Sequence, residues 1–384
     1  MKQMKWFYAA AAALLIAGCG GSDSGSDPVT PPPPPPPPPP VSASGYDVKL
    51  IAGQTVYADH EPLDRAVGCV DGPAIGAKIN PTAKLYDNMA RGPGGELFYA
   101  DRGLCDGLVR VRAVDAANDT LKTLAVGVSN RADEVAPLTS FNWVTSLAAS
   151  PDGELYVADS DTFSGGLEQI TRRKPGRGPG IWRIAKDGSV SVLAGISLPH
   201  ASPGVDGVGA GASFGYLTKL CYGADDHLYV NNNSRLTRVG LDGTVSTVRY
   251  EGGLQAYIIS CGSDGGVLVH RRFEDARKND VYEVISGVSV VKAPELLAPA
   301  FMHIDSADPV LVRGERESVV LTPLKGGDEV RLADQYRADG GSVPIDLESS
   351  PPTLGGPVRY GAAHGAGTFD LLTDRSVFRF TKRQ

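Results

Sequence analysis

The stretch Ser150-Pro151-Asp152-Gly153-Glu154-Leu155-Tyr156-Val157-Ala158-Asp159 decides the fold. A turn-forming Ser/Pro/Asp/Gly cluster runs straight into a β-rich segment led by Leu, Tyr and Val, which reads as the outgoing strand of a hairpin. The phrase recurs upstream as Gly95-Glu96-Leu97-Phe98-Tyr99-Ala100-Asp101 and downstream as His227-Leu228-Tyr229-Val230-Asn231-Asn232. Weaker copies are Gly266-Val267-Leu268-Val269-His270, Pro309-Val310-Leu311-Val312-Arg313 and Thr368-Phe369-Asp370-Leu371-Leu372-Thr373-Asp374. Behind each copy lies another β-rich run, at 108–114, 181–185, 235–241, 281–285, 318–324 and 376–382. Behind five of the six comes one more, at 121–126, 190–194, 245–250, 288–293 and 329–333. Asp187-Gly188 and Asp242-Gly243 supply hairpin turns between such runs.

The sixth copy lacks its last run, because the sequence stops at Gln384. A counterpart stands at the other end of the domain: Asp47-Val48-Lys49-Leu50-Ile51-Ala52-Gly53 matches Ser189-Val190-Ser191-Val192-Leu193-Ala194-Gly195 in pattern. The first strand is therefore expected to complete the last unit, around Phe378, and so to remove exposed sheet edges. Residues 46–384 divided among six units leave about 56 each, slightly above the ~40–50 of common propeller repeats, with loop insertions taking up the excess. Gly-x-Leu-Tyr-Val-Ala-Asp, then Ile-x-Arg-Ile, then Asp-Gly-x-Val-x-x-Leu-Ala-Gly resembles the NHL-repeat pattern. The segment Val205-Asp206-Gly207-Val208-Gly209-Ala210-Gly211-Ala212-Ser213-Phe214, with a partial version at 71–77, resembles that family's inter-blade segment. The resemblance is good for the second unit, fair for the first and third, and weak for the last three. It implies an all-β fold, a six-bladed β-propeller of four-stranded blades around a channel. Five and seven blades are the alternatives.

Composition agrees with a folded, exported domain. Hydrophobic residues make up 42 % and charged residues 21 %, enough for a real core. The net charge of −7 argues against nucleic acid as a partner. Lys2 and Lys5 precede an apolar run from Trp6 to Ala17 that is too short for a permanent bilayer span. Ile16-Ala17-Gly18-Cys19 resembles the lipobox of bacterial lipoproteins, which implies cleavage after Gly18 and acylation of Cys19. Gly20, in place of an aspartate, points by the same resemblance to the outer membrane. The expected organisation is a lipoprotein signal peptide at 1–18, a lipidated cysteine with a Gly/Ser and polyproline linker at 19–45, and the propeller at 46–384. A closed ring needs no partner to bury its core, so a monomer is expected.

Four cysteines remain, Cys69, Cys105, Cys221 and Cys261, and in an oxidising compartment they suggest two disulfides with three pairings open. Propeller geometry favours 69–105, both in loops on one face, and 221–261, both near the ends of neighbouring inner strands. Inner strands also supply the channel and ligand candidates Arg91, Tyr222, His303 and His364, since a polar channel mouth is a ready ligand site. Asp101, Asp159 and Asp374 read as a recurring turn-closing aspartate. The largest insertion, 160–180, carries Arg172, Arg173, Lys174 and Arg177, loop candidates for an anionic partner such as a lipid head group or glycan.

Two functions follow. The first is a membrane-anchored, non-catalytic binding or scaffold lipoprotein without a cofactor, for no Gly-x-Ser-x-Gly, His-Glu-x-x-His, P-loop or EF-hand motif is present. The second is a calcium-dependent lactonase or related hydrolase, by resemblance to the gluconolactonase family, in which the ion polarises a carbonyl or activates water. That family's Asn-Gly before a Ser-Pro-Asp-Gly turn is replaced here by Thr145-Ser146, with Asn142 out of register. The departure favours the binding protein.

Overall fold

The computed structural model describes residues 45–54, 67–81, 89–129, 141, 143–160, 178–196, 204–233, 235–249, 253–273, 281–285, 289–291, 300–304, 309–314, 318–334, 345–348, 350–365 and 367–384. Cys19, Asn142 and the loop cations Arg172, Arg173, Lys174 and Arg177 lie outside them.

Strand β1 (Tyr46–Gly53) opens the domain. Blade 1 holds β2 (Gly72–Pro73), β3 (Met89–Arg91), β4 (Leu97–Arg102), β5 (Leu108–Asp115) and β6 (Thr120–Ser129). Blade 2 holds β7 (Val144–Ala149), β8 (Leu155–Asp159), β9 (Gly180–Ile184) and β10 (Val190–Gly195). Blade 3 holds β11 (Gly207–Val208), β12 (Leu217–Tyr222), β13 (His227–Asn232), β14 (Arg235–Gly240) and β15 (Thr244–Thr247). Blade 4 holds β16 (Gly253–Cys261), β17 (Val267–Phe273), β18 (Val281–Ile285) and β19 (Ser289–Val291). Blade 5 holds β20 (Ala300–His303), β21 (Val310–Gly314), β22 (Ser318–Pro323) and β23 (Val330–Asp334), and blade 6 holds β24 (Val358–Gly365), β25 (Thr368–Thr373) and β26 (Ser376–Lys382). The order β1-β26-β25-β24 makes the first strand the outermost member of the last blade. Leu50 pairs with Phe378, as the pattern match requires. The inner strands β3, β7, β12, β16, β20 and β24 each lie beside the next, and β24 lies beside β3. The protein is a closed six-bladed β-propeller.

Four-stranded blades are the rule, and blades 1 and 3 each gain a two-residue fifth strand. These are the inter-blade glycine segments: Gly72-Pro73 pairs with Leu121 and Thr120 of β6, and Gly207-Val208 with Val245 and Thr244 of β15. Gly-rich sequence lets the connecting chain lie close along the outer strand instead of looping free.

Blades stack face to face, so their middle strands are covered on both sides. Leu155–Asp159 is buried throughout, without the alternation of a one-sided strand. Among the described residues each seam has its own apolar cluster. Trp182, Val157 and Phe98 fill the seam of blades 1 and 2, and Phe214, Leu217 and Ile181 that of blades 2 and 3. The seam of blades 5 and 6 packs Tyr46, Phe369, Phe378 and Phe380 against Met302 and Val312. Ile51, Ala52, Tyr360 and Leu372 meet Met89 and Tyr99 where the ring closes.

The recurring aspartate is a turn clamp in two of its three places. Asp101 Oδ1 accepts the Asn80 N–H at 2.7 Å, and Asp159 Oδ1 accepts that of Trp143 at 3.0 Å. In blade 3 Asn232 Oδ1 accepts from Gly215 N at 2.7 Å. Asp374 is a correction. Val144 faces Asp159, Leu217 faces Asn232 and Val358 faces Thr373, so Thr373 holds the equivalent position. Asp374, one residue on, pairs instead with Arg359 at 2.7 Å.

Candidate functional site: the channel mouth

Each inner strand of blades 1 to 4 leaves through the same turn. The N–H of Gly95, Gly153, Asp226 and Gly265 donates to the carbonyl three residues back, and all four residues have positive φ, 89°, 87°, 57° and 78°. Glycine takes that conformation without strain, which explains the Asp-Gly and Gly-Gly pairs of the repeat, and aspartate is among the few other residues that tolerate it. Because the turns are alike, their tips gather at one end of the channel.

They enclose a cavity of about 410 Å³, within the usual range for small-molecule sites. Five blades contribute: Met89 to Pro93, Leu147 to Pro151, Leu220 to Ala224 with Asp226, Cys261 to Gly265, and Gly361 to Ala363. The Cys221–Cys261 disulfide ties blade 3 to blade 4 in its wall. The second disulfide, Cys69–Cys105, joins the chain entering blade 1 to the β4–β5 turn, at the opposite end of the propeller. Both bonds follow the favoured pairing.

Arg91 lies in the wall at the seam of blades 1 and 6. Its Nη1 donates to the His364 carbonyl, its Nε is buried without a partner, and it makes no ion pair among the described residues. Desolvation and the nearby Arg379 guanidinium lower its pKa. Asp370, fully buried, is taken up by others: it accepts from Arg379 at 2.8 and 2.9 Å and from His364 Nε2. Tyr222 stands in the wall of blade 3, donates to Asp226 Oδ1 at 3.1 Å, and packs its ring 6.1 Å from that of Tyr156. Burial and the Asp226 bond push its hydroxyl up to about 12.

The four sequence candidates thus separate. Arg91 and Tyr222 line the cavity, and His364 is joined to Arg91 through its carbonyl. His303 is fully buried, with Nδ1 2.8 Å from Ser260 Oγ at the seam of blades 4 and 5, where its place is structural. The loop insertion joins β8 to β9, so its described ends, Ser160 and Gly178, are at the end of blade 2 away from the cavity. Asp226, Asp264 and Asp370 were missed as site residues. Asp370 had a signal: across from Ala90, Ala148 and Cys221 stand Phe98, Tyr156 and Tyr229, but across from Ala362 stands an acid.

Among the described residues, the side chains near enough to share a metal ion in a group of three or more His, Cys, Asp and Glu are Cys69, Cys105 and Asp106, and both cysteines are held in a disulfide. The mouth carboxylates serve their turns: Asp226 accepts from Tyr222, and Asp264 Oδ1 accepts the Gly266 N–H at 3.0 Å.

No protein-family model matches the chain, and a search of the curated proteins finds no match. Among solved structures, a gluconolactonase from Xanthomonas campestris is 11 % identical, with 87 % of this chain and 97 % of that one covered and a TM-score of 0.43. A streptogramin B lyase is 11 % identical over 88 % and 97 %, with a TM-score of 0.39. The β-propeller domain of the trilobed protease of Pyrococcus furiosus is 11 % identical over 76 % and 78 %, with a TM-score of 0.39. The fold rests on the strand pairing described above, and no activity carries over from any of these proteins.

Proposed function

We propose that the protein is a non-catalytic binding lipoprotein of the bacterial outer membrane, acylated at Cys19 and joined by the linker at 19–45 to a propeller that takes a small ligand in its channel mouth. The observation that carries the reading is the five-blade cavity. It is walled by a guanidinium, a tyrosine and turn backbone, with the Tyr222 hydroxyl bonded to Asp226 and Asp264 bonded to the Gly266 N–H. Ser150 Oγ accepts the Glu154 N–H at 3.0 Å. The Lys382 N–H donates to the Gly367 carbonyl in the blade 6 turn at 3.0 Å, and the Arg383 N–H to the Gly45 carbonyl at 2.7 Å. The chain therefore enters β1 on the cavity face.

Two measurements test this. Cys19→Ala is expected to move the protein from the membrane to the soluble fraction, because acyl chains contribute ~0.8 kcal/mol per buried CH₂; a variant that stays with the membrane overturns the anchor. Thermal melting against a panel of sugars, amino acids, short peptides and organic acids should raise the midpoint for at least one class, and Ala149→Trp, which fills the cavity, should abolish the rise. Absence of any shift overturns the binding reading. Millimolar calcium is expected to leave the midpoint unchanged, and a raised midpoint would favour the hydrolase instead.

A further inference from the structure

The charges of the cavity are separated across it. Arg91 stands at the seam of blades 1 and 6, beside Arg379, while Asp226 of blade 3 and Asp264 of blade 4 stand on the far side of the ring. The positive wall holds two guanidinium groups, Arg91 and Arg379, and two carboxylates, Asp370 and Glu96, but Arg91 itself forms no ion pair among the described residues. The one fully buried carboxylate near it, Asp370, is already paired with Arg379 and His364, and Arg91 itself makes a single hydrogen bond, to a carbonyl. Glu96 is the other acid close enough to act on Arg91, and it forms no ion pair with it. A half-desolvated guanidinium with open donors gains most from a carboxylate, which its planar fork matches in geometry. The negative wall has the complementary property. Asp226 accepts one side-chain hydrogen bond, from Tyr222, whose ring also lines the cavity. A carboxylate beside an aromatic ring suits an ammonium group.

Resting on the binding reading above, we propose that the ligand is a small zwitterion of short-peptide size, its carboxylate held at Arg91 and its ammonium group at Asp226 and Tyr222. A simple anion gains at one wall and is repelled at the other, and a simple cation meets the reverse. Only a molecule carrying both charges, spaced across the opening, gains at both. The cavity volume of about 410 Å³ leaves room for more than a single amino acid.

The test uses trialanine with the full chain in calorimetry, beside trialanine amide and N-acetyl-trialanine. Free trialanine is expected to bind, and each blocked form to bind about 10- to 100-fold more weakly, the range of one lost charge-assisted contact. Arg91→Gln should erase the preference for the free carboxylate and keep that for the free amine. Asp226→Asn should do the opposite, and Arg91→Lys should restore part of the first. Circular dichroism and melting confirm that each variant is folded. Equal binding of free and blocked peptides, or no binding of trialanine to the wild type, overturns the proposal. If another class then raises the melting midpoint, the binding function stands and only the zwitterion is lost; if none does, both fall.

Discussion

Deleting residues 46–53 is expected to abolish cooperative folding of the propeller, although the strand is the outermost of its blade. The reason lies in what the strand closes. Seven residue pairs join β1 to β26, from Tyr46 with Lys382 to Gly53 with Ser376. Tyr46 is 8 % exposed and sits edge-on to Phe369 at 5.4 Å, while Ile51, at 3 %, packs in the seam where blade 6 meets blade 1. Each fully buried large apolar side chain contributes ~1.5–3 kcal/mol, so these two alone are worth about 3–6 kcal/mol. A domain of this kind has a margin of ~5–15 kcal/mol, and loss of the strand also bares the edge of β26. Urea denaturation followed by tryptophan fluorescence should show a broad, early transition or none. A deletion variant that unfolds cooperatively within about 1 kcal/mol of the wild type would show that closure is dispensable.

The architecture was legible because its determinants are local. The Asp-Gly and Gly-Gly turns, the Leu-Tyr-Val strands and the Ala-Gly ends of the outer strands repeat in the chain itself, and a repeat is visible without knowing what touches what. Closure by β1 was legible for the same reason, since its pattern matches β10. The disulfides followed once strand order placed the cysteines. The site was less legible, because its contacts join residues far apart in sequence. Arg91 meets the His364 carbonyl across 273 positions, and nothing near Arg91 announces it. His303 and Arg91 both come from the ends of inner strands, yet one closes a seam and the other lines a cavity, a difference set by neighbouring blades. Asp374 misled because aspartate is common in turns and one residue of slippage separates it from Thr373. Asp370 was readable in principle as the position where the repeat exchanges an aromatic ring for a charge.

The second large effect concerns pH and the deepest ionic group of blade 1. Asp101 is fully buried; its Oδ2 accepts from Tyr99 at 3.1 Å, and Arg112, also fully buried, lies 3.5 Å away. Arg112 is shared, since its Nη2 donates to the Val70 carbonyl at 2.7 Å and to Asp71 at 3.1 Å, tying down the chain beside Cys69. Desolvation outweighs Arg112 and the hydrogen bonds and pushes the Asp101 carboxyl from 3.8 up to about 6. A carboxyl whose folded pKa exceeds its unfolded one holds its proton longer in the native state. Its contribution to stability is therefore full below pH 3.8 and is lost as pH rises to about 6. At ~1.4 kcal/mol per pH unit the loss is about 3 kcal/mol. Asp106, Glu154 and Asp225, whose pKa values are lowered, act in the opposite sense, so the wild-type curve alone mixes both trends. Asp101→Asn isolates the group: the stability of the wild type minus that of the variant, from urea melts between pH 4 and pH 7, should fall by about 2 kcal/mol as pH rises, the rest of the loss lying below pH 4. A difference that stays flat, or that grows with pH, would mean that Arg112 holds Asp101 ionised and that the blade 1 network is a stabilising ion pair instead of a buried acid.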